Sequence, residues 1–427
     1  MQEESKSFQN LKLTKQILNA LADLGFEYPS PVQEKVIPKV LAGHDLFGIA
    51  PTGTGKTAAF IIPLLMKLKF AQGEHPRALI LAPTRELAIQ IDDDIAKLST
   101  YYDLRHVCIY GGTGITIQSD SIRKGVDIIT ATPGRFLDLY QREFLYPRLI
   151  KTMILDEADK MMDMGFKKQI NRILEIIPPK NRQNLLFSAT LPPDVEELSY
   201  DFLEFPVKVE IEPQGTTAST IDQCFYKTPN LKTKINLLEY LLENSDRFKR
   251  VIIFTKTKET ANNIFKYIQR KIDVNSRVIH ANKSQNSRLN AINSFKEGEV
   301  RILVSTDVTA RGIDITEISH VINFDVPIIY EDYIHRIGRT GRANKTGESI
   351  TFVTDPDFHH LQEIEKIIRQ KIPEKPFPGG VNVEITEKWE KSLMDRELDR
   401  IKRKLNPDFK GAFHQKKRKI DKKRKPK

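Results

Sequence analysis

The chain alternates strand-like and helix-like segments twice, and this alternation limits the folds open to it. In the first half, short apolar runs rich in β-branched residues are separated by helical patterns such as RELAIQIDDDIAKL. These runs are DLFGIA, RALILA, VDIITA, KTMILD and QNLLFSAT, and in the second half they are RVIIFT, SRVIHA, VRILVST and SHVINFD. Strands that alternate with helices predict parallel sheets covered by helices on both faces. The sequence therefore predicts two α/β domains.

A stretch without hydrophobic period separates the two halves. It reads FPVKVEIEPQGTTAST and is rich in Pro, Gly, Ser and Thr, as expected of a linker. We expect a first domain over residues 1–207, a linker over 208–220 and a second domain over 221–371. The break IPEKPFPGG then opens a charged extension, 372–427, which we expect to be largely disordered, with a partly helical, poorly packed segment before the tail.

The positive charge is concentrated at the carboxyl terminus. The net charge is +11, but the last twelve residues, KKRKIDKKRKPK, hold nine Lys or Arg and one Asp and account for +8 of it. A block this charged and this poor in apolar residues is expected to be disordered.

The remaining composition predicts a protein of the cell interior. No apolar run approaches the roughly 18 residues of a membrane span, and the amino terminus MQEESKSFQN has no hydrophobic signal core. Cys108 and Cys224 are far apart and have no metal-ligand spacing, so we interpret them as reduced core residues. We expect a cytoplasmic protein that does not contact a membrane.

The segment APTGTGKT follows the strand-like LFGI and precedes the helical TAAFIIPLLMKL, the context that a phosphate-binding loop requires. Gly53 and Gly55 would let successive backbone N–H groups face one anion, while Lys56 supplies a cation and Thr57 a hydroxyl for Mg²⁺. The alternative, a chance glycine turn, does not explain the flanking elements.

The segment ILDEADK places carboxylates directly after a strand, where ligands bind in parallel sheets. Phosphoryl transfer needs one carboxylate near the metal and one group that orients or deprotonates water. Asp156 suits the metal and Glu157 the water. The alternative is an acidic helix start, in which Asp159 simply favours the first turn.

Three arginines recur at a spacing of three in YIHRIGRTGR, with no acidic residue between them. Arg336, Arg339 and Arg342 stay ionised at any ordinary pH, so their clustering needs an anion or an exposed face. A helix-like stretch ends here at Gly338 and Gly341, which favours a loop that can reach a phosphate.

Taken together, these motifs resemble the DEAD-box RNA helicases of superfamily two, including bacterial stand-alone members such as the RhlE type. The resemblance runs from Phe8 to about Lys371. It rests on motifs in the family's order, namely GFEYPSPVQ, APTGTGKT, PTREL, GG, TPGR, DEAD, SAT, IFTKT, QNSR, TDVTARGID and HRIGRTGR. The family's fold implies two tandem RecA-like α/β domains with parallel sheets flanked by helices.

The resemblance implies an RNA-dependent ATPase that uses ATP and Mg²⁺. In the nucleotide site it assigns adenine recognition to Phe8, Ser30 and Gln33, and phosphate binding to Thr52, Gly53, Thr54, Gly55, Lys56 and Thr57. Thr57 and Asp156 would hold the metal, and Glu157 would be the base. Ser188 and Thr190 would couple hydrolysis to strand separation, and Gly312 and Asp314 would approach the nucleotide from the second domain. Arg339 and Arg342 would contact the γ-phosphate, whereas His335 and Arg336 would contact the first domain near DEAD and SAT.

The resemblance also implies a sequence-independent RNA path. Its residues in the first domain would be Pro83, Thr84, Arg85, Gly112, Thr132, Gly134 and Arg135. Those in the second would be Thr255, Gln285, Arg288, Thr306 and Asp307. Short hydroxyls, glycine N–H groups and arginines suit phosphates and sugars rather than bases.

Several readings of the biological role stay open at this stage. Single-stranded RNA and short duplexes are the expected substrates, and ribosomal particles or RNA-decay machinery the expected partners of a monomer. An ATP-gated RNA clamp or annealing chaperone and a DNA translocase are the alternatives to an unwinding enzyme. The basic tail would tether RNA, although a nuclear-import signal has the same composition.

The tail is testable from its charge alone. Deletion of Lys416–Lys427 should make the salt dependence of RNA binding shallower, because log K falls by about 0.7 per phosphate contacted on single strands for each unit of log[salt]. The apparent KM for RNA should rise while basal ATPase stays unchanged. An identical salt slope in the full-length and truncated proteins, measured by fluorescence anisotropy, would exclude tethering.

Overall fold

The computed structural model describes residues 7–51, 53–179, 181–211, 221–307, 318–341, 347–406 and 409. The chain divides into two compact units, one formed mainly by Met1–Thr217 and the other mainly by the residues that follow. Each unit has its own parallel sheet flanked by helices. The expected fold class is thus confirmed.

Seven parallel strands form the first sheet, in the order β3-β4-β2-β5-β6-β1-β7. They are β1 (Leu46–Ile49), β2 (Ala78–Leu81), β3 (His106–Ile109), β4 (Ile128–Ala131), β5 (Thr152–Leu155), β6 (Gln183–Ser188) and β7 (Val207–Glu210). Successive residues of the central strands enter different cores. Ile154 packs in one apolar cluster, whereas Met153 and Leu155 pack in the other, so the sheet is buried on both faces.

The last strand of this sheet lies in the segment expected to be a linker. β7 pairs with β1 in parallel, with Lys208 opposite Phe47 and Glu210 opposite Ile49. The expected boundary at residue 207 is therefore too early, and the first sheet continues at least to Glu210. Residues 212–220, the rest of the expected linker, lie outside the described residues.

Helices of the first unit follow the expected alternation with strands. They are α1 (Lys15–Asp23), α2 (Pro31–Leu41), α3 (Lys56–Leu68), α4 (Arg85–Leu98), α5 (Ile115–Arg123), α6 (Pro133–Gln141), α7 (Ala158–Asp163), α8 (Lys167–Ile176) and α9 (Pro193–Phe202), with short 3-10 helices at Phe8–Leu11 and Pro147–Leu149.

The second sheet has six described strands, all parallel, in the order β10-β11-β9-β12-β13-β8. They are β8 (Ile221–Lys227), β9 (Val251–Thr255), β10 (Ser276–Ile279), β11 (Ile302–Thr306), β12 (His320–Asn323) and β13 (Gly347–Val353). The helices that accompany them are α10 (Leu231–Glu243), α11 (Lys258–Lys271), α12 (Gln285–Lys296), α13 (Glu331–Ile337), α14 (Asp357–Ile368) and α15 (Lys388–Leu405).

The start of the carboxyl-terminal extension is packed on the second sheet. The edge strand β8 exchanges backbone hydrogen bonds with it, since the N–H of Phe225 donates to Pro373 and the N–H of Lys375 donates back to Phe225. Asn230, which is almost fully buried, caps α10 through the N–H of Thr233 and donates to the carbonyl of Glu384 at 2.6 Å. The expected end of the second domain at residue 371 is therefore too early, although most side chains of residues 372–387 stay exposed.

The extension continues as α15, which confirms the expected partial helix. Residues 410–427, with the basic tail, lie outside the described residues, so the disorder expected there stays a prediction. Among the described residues, no helix is long and apolar enough to cross a membrane.

Both cysteines are free, as expected. Cys224 is buried and Cys108 partly buried. Burial raises the pKa of the Cys224 thiol to about 11 and also raises that of Cys108, so neither behaves as a reactive thiolate.

Candidate nucleotide and RNA sites

Three neighbouring strands bring the candidate catalytic motifs together. In the order β5-β6-β1, the DEAD segment follows β5, SAT ends β6 and the glycine loop follows β1. Because the strands are parallel, their carboxyl ends lie at one edge of the sheet. The register places Ser188 opposite Ile49, the last residue of β1. Side chains that are far apart in sequence therefore meet at this edge.

The glycine loop has the geometry of an anion-binding helix start. Gly53 and Gly55 adopt φ values of +82° and +89°, which side-chain-bearing residues rarely reach. Gly55 caps α3 without a side-chain acceptor, so the first N–H groups of the helix face the loop. The ammonium of Lys56, which is buried, donates to the carbonyl of Ala50 at 2.7 Å. Thr54 donates to the carbonyl of Pro51, which closes the turn.

The helix before the loop is fastened to it by Gln33. Ser30 and Gln33 form a reciprocal capping box at the start of α2, and the Gln33 amide also donates to the carbonyl of Gly55 at 3.2 Å. A Cβ at Gly55 would lie 2.6 Å from this amide nitrogen, which is a second reason for glycine there. Gln33 thus supports the phosphate loop, and its contact with adenine stays a prediction.

The aromatic residue expected to stack on adenine is buried instead. Phe8 is 4% exposed and packs in the apolar core of the first unit. Phe26 and Tyr28, which precede the capping box, are 52% and 56% exposed. Stacking by Phe8 on adenine stays a prediction.

The carboxylates after β5 lie in a buried, charged environment. Burial raises the pKa of Asp156 to about 6, even though Lys56 opposes the shift. Glu157 adopts a left-handed backbone conformation at the start of α7, with φ of 54°. Its carboxylate accepts from the ammonium of Lys160 at 2.7 Å, and both side chains are almost fully buried. Lys160, which sequence reasoning did not single out, thus orients the candidate base.

The residues expected to hold Mg²⁺ have suitable chemistry. Thr57 lies in the first turn of α3, beside Lys56, and Asp156 is a buried carboxyl that Lys56 influences electrostatically. Hydroxyl and carboxylate oxygens are hard ligands, and Mg²⁺ commonly takes only one or two protein ligands and completes its shell with water and phosphate oxygens. The donor set therefore fits the expected metal.

The final Asp of DEAD contacts SAT directly. One oxygen of Asp159 accepts from the N–H of Ala189, the N–H of Thr190 and the hydroxyl of Thr190 at 3.0–3.2 Å. The hydroxyl of Ser188 donates to the carbonyl of Thr190, so the turn is closed on itself. Asp159 lies in the first turn of α7, as the helix-start alternative supposed, but its carboxylate links two motifs. The partner is 30 residues away, so no local pattern could reveal this.

The candidate RNA residues of the first unit form a second group. The guanidinium of Arg85 covers the Cα of Gly112, where a Cβ would overlap it. Arg135 donates to the carbonyl of Thr113 at 3.0 Å and to Gln118 at 3.1 Å. The PTREL, GG and TPGR motifs therefore meet at one place. Of the remaining candidates, Pro83 is buried just before α4, and the hydroxyl of Thr84 caps α4. Thr132 is the N-terminal cap of α6, and Gly134 is exposed.

In the second unit, two RNA candidates lie at the ends of paired strands. Thr255 ends β9, Thr306 ends β11, and the two are opposite each other in the ladder. Two further candidates, Gln285 and Arg288, lie in the first turn of α12, and Lys283–Asn293 are grouped with the first unit. Thr52, Gly312, Asp314 and Arg342 lie outside the described residues.

Arg336 is held by residues of its own domain, and its expected contact with the first domain stays a prediction. Its guanidinium is 2% exposed and makes a two-pronged ion pair with Asp307 within the second unit, at 2.5 and 2.8 Å. Asp307, expected to contact RNA, is thus bound by an arginine that was expected to contact the first domain. The ion pair spans 29 residues, which explains why the motif itself contains no counter-ion.

Arg339 lies just after the end of helix α13 and is bonded back to it. His335 lies in the last turn of this helix, and its carbonyl accepts from Nε of Arg339 at 3.1 Å. The helix ends at Gly338, as expected, whereas only Gly341 uses a positive φ, of +66°.

Comparisons with known proteins agree with this arrangement. The DEAD/DEAH box helicase family model matches residues 30–198, and the model of the helicase conserved C-terminal domain matches residues 233–344. The DEAD-box ATP-dependent RNA helicase RhpA of Helicobacter pylori is 41% identical over 366 residues, which are 86% of this chain and 73% of that relative. This chain belongs to the DEAD-box ATP-dependent RNA helicases.

Further comparisons extend the family assignment. The ATP-dependent RNA helicase RhlB of Pseudomonas putida is 41% identical over 380 residues, 87% of this helicase and 94% of the relative. Among solved structures, S. cerevisiae Dbp5 bound to RNA and ADP BeF3 matches with a TM-score of 0.77 at 30% identity and covers 92% of this chain and 100% of its own. The family and the enzyme class expected from sequence are confirmed, and the RhlE subgroup stays a prediction.

The contact between Arg85 and Gly112 predicts how this helicase responds to an added methyl group. Gly112→Ala should displace the guanidinium and strain a backbone with φ of +89°. The left-handed conformation costs a side-chain-bearing residue about 1–2 kcal/mol of stability. Loss of the contact between the displaced Arg85 and a phosphate, about 1.5–3 kcal/mol, should lower RNA affinity roughly 10–150-fold. Fluorescence anisotropy with a labelled single-stranded RNA measures this.

The matched control is Gly114→Ala. A Cβ there meets nothing within 4 Å, and the φ of Gly114 is −55°. It should bind RNA like the unmodified protein. Equal affinities for the two variants would contradict the assignment of Gly112 and Arg85 to the RNA path.

Proposed function

We propose that this helicase couples ATP binding and hydrolysis to clamping of RNA, with local unwinding of short duplexes or remodelling of ribonucleoprotein. The observation that supports this best is the meeting of β1, β5 and β6 at one sheet edge. It gathers a buried cation, two buried carboxylates and the SAT turn, the parts that phosphoryl transfer and its coupling require.

Hydrolysis would proceed by in-line attack of water on the γ-phosphorus of ATP. Glu157, held by Lys160, orients the water and accepts its proton as the new P–O bond forms. The bond to the β-phosphate oxygen breaks, which gives ADP and phosphate. Lys56 and the N–H groups of the glycine loop stabilise the charge on the phosphates. Thr57 and Asp156 would hold Mg²⁺, which when bound neutralises charge on the β- and γ-phosphates.

The second domain would complete this site. Arg339 and Arg342 would stabilise the transferring phosphate, and Gly312 and Asp314 would approach the nucleotide. Bound ATP and RNA together favour the closed arrangement, in which one RNA strand bends and a short duplex opens. Loss of phosphate then reverses closure and releases RNA.

Communication between the two substrates would pass through Asp159. Its bonds to Ala189 and Thr190 join the DEAD and SAT segments. A shift of the DEAD segment on hydrolysis is therefore transmitted to SAT. Arg85, Gly112, Arg135, Thr255 and Thr306 supply the sequence-independent contacts to the RNA backbone, and contacts to the 2′-OH favour RNA over DNA.

We also propose that the protein acts as a monomer in the cytoplasm on ribosomal particles or on RNA under decay. Its free cysteines suit a reducing compartment. Crosslinking of the protein to RNA in cells identifies the substrate.

The catalytic assignment predicts the behaviour of two variants. Glu157→Gln and Arg339→Ala should lower RNA-stimulated ATP turnover on the order of 10³-fold, because a positioned base and an arginine on the transferring phosphate each contribute to this extent. Arg277→Ala, which removes an exposed arginine from β10, is the control and should retain full turnover. Near-normal RNA-stimulated turnover in either test variant would refute the assignment.

Two further measurements separate the alternatives. Equal stimulation of the ATPase by RNA and by DNA of the same length would favour a DNA translocase. Parallel duplex-unwinding and strand-annealing assays decide between an unwinding enzyme and a clamp that mainly anneals.

A further inference from the structure

Four charged side chains form a cluster behind the strand ends of the second sheet. Lys234 and Arg336 are its cations, and Asp307 and Asp325 its anions. A fifth, Asp357, lies at its margin, 3.9 Å from the ammonium of Lys234, and also accepts hydrogen bonds from Thr354. Lys234 is 4% and Arg336 is 2% exposed, and each carboxylate side chain is 21% exposed. Asp307 and Arg336 belong to sequence motifs described above, whereas Lys234 and Asp325 belong to none.

Asp325 joins three separate elements of this domain. One carboxylate oxygen pairs with the ammonium of Lys234, on α10, at 3.1 Å. The other accepts from the N–H of Lys256, which directly follows Thr255, at 3.0 Å. Its backbone carbonyl accepts from Arg336, on α13, at 2.7 Å. Asp325, two residues after the end of β12, therefore contacts both the neighbour of the RNA candidate Thr255 and Arg336 on α13.

The guanidinium of Arg336 is occupied by this network. Besides Asp307 and the Asp325 carbonyl, it donates to the amide oxygen of Asn323 at 3.2 Å and lies 5.2 Å from the centre of the Phe254 ring. Four of its five N–H groups therefore have acceptors. The carbonyl of Arg336 in turn accepts from the N–H of Arg339 at 3.1 Å. The backbone position of Arg339 thus depends on where Arg336 is held.

The charges of the cluster depend on one another. Burial alone would raise the pKa of Asp325, but Lys234, the N–H of Lys256 and Arg336 together bring this pKa below its usual range. Removal of one member would leave its partner as an unpaired buried charge, whereas removal of a cation and an anion together would not.

We propose that Asp325 is a positioning residue for ATP hydrolysis, because it fixes Arg339, through Arg336, at a set distance from the RNA contact at Thr255. This rests on the function proposed above, which assigns Thr255 to RNA and Arg339 to phosphate. Within one domain, the geometry supplies a rigid link between these two residues. A purely stabilising Asp325 would affect folding but not the dependence of ATP turnover on RNA.

The test compares paired substitutions in the full-length protein. Lys234→Met together with Asp325→Asn removes one cation and one anion, so thermal stability should stay close to that of the unmodified protein. The factor by which saturating RNA raises kcat/KM for ATP should fall roughly 10–100-fold, since small misplacements of a group at a reaction centre have effects of this size. Asp325→Glu is the second test variant, to be used if the paired variant does not fold. It keeps the charge but displaces it by one methylene, and should show the same loss of stimulation by RNA.

The matched control is Asp273→Asn, which breaks an ion pair of similar exposure with Arg301 at 2.6 Å in the same domain. Arg301 retains bonds to the carbonyls of Leu242 and Phe248. This variant should keep its stimulation by RNA even if its melting temperature falls.

The results for these variants either support or overturn the positioning role of Asp325. Loss of RNA stimulation in a folded Asp325 variant, with stimulation retained in Asp273→Asn, supports the positioning role. Full stimulation in the folded paired variant or in Asp325→Glu overturns it, as does an equal loss in Asp273→Asn. A failure of the proposed function is distinguishable, because RNA would then fail to stimulate the unmodified protein as well.

Discussion

The parallel pairing of β5, β6 and β1 is the constraint on which the rest of the site depends. Parallel strands end at the same edge of a sheet, so whatever follows each strand is brought to one place. The glycine loop lies about a hundred residues before the DEAD carboxylates in sequence, and the SAT turn about 30 residues after them, yet this rule brings all three to one edge. The helices then contribute local detail, such as the uncapped start of α3 that faces an anion.

Permanent bonds within each domain hold the groups that are expected to make transient ones. Asp159 holds SAT, Lys160 holds Glu157 and Asp307 holds Arg336, all with buried or partly buried side chains. Breaking such a contact would leave a buried charge without a partner, which is costly. Arg336 anchors the helix, and Arg339 and Arg342 remain the candidates for the phosphate.

Sequence alone predicted the parts of this protein that depend on local pattern. The apolar, β-branched runs gave the central strands, and glycines at required positive φ values marked the phosphate loop. Contacts between distant residues could not be predicted. The partners of Asp159 were not visible in the DEAD motif, and Lys234 and Asp325 lie outside the motifs named in the sequence analysis, so only folding shows which residues they contact.

The two misjudged segments have a similar explanation. β7 is an edge strand with exposed Lys208 and Glu210, so its composition resembled a linker. Residues 372–387 lack any hydrophobic period because their hydrogen bonds go to β8 and to Asn230 rather than to one another. A segment whose hydrogen-bond partners lie in another part of the fold shows little hydrophobic pattern in its own sequence.

The central claim is that ATP and RNA bind this helicase cooperatively. It is tested most directly by the affinity of the full-length protein for a labelled single-stranded RNA, measured by fluorescence anisotropy with and without ADP–beryllium fluoride and Mg²⁺. Coupling between two sites typically changes affinity about 5–150-fold, and by linkage RNA must tighten nucleotide binding by the same factor. The account predicts tighter RNA binding within this range when the nucleotide analogue is present. An RNA affinity that is the same with and without the analogue would contradict it.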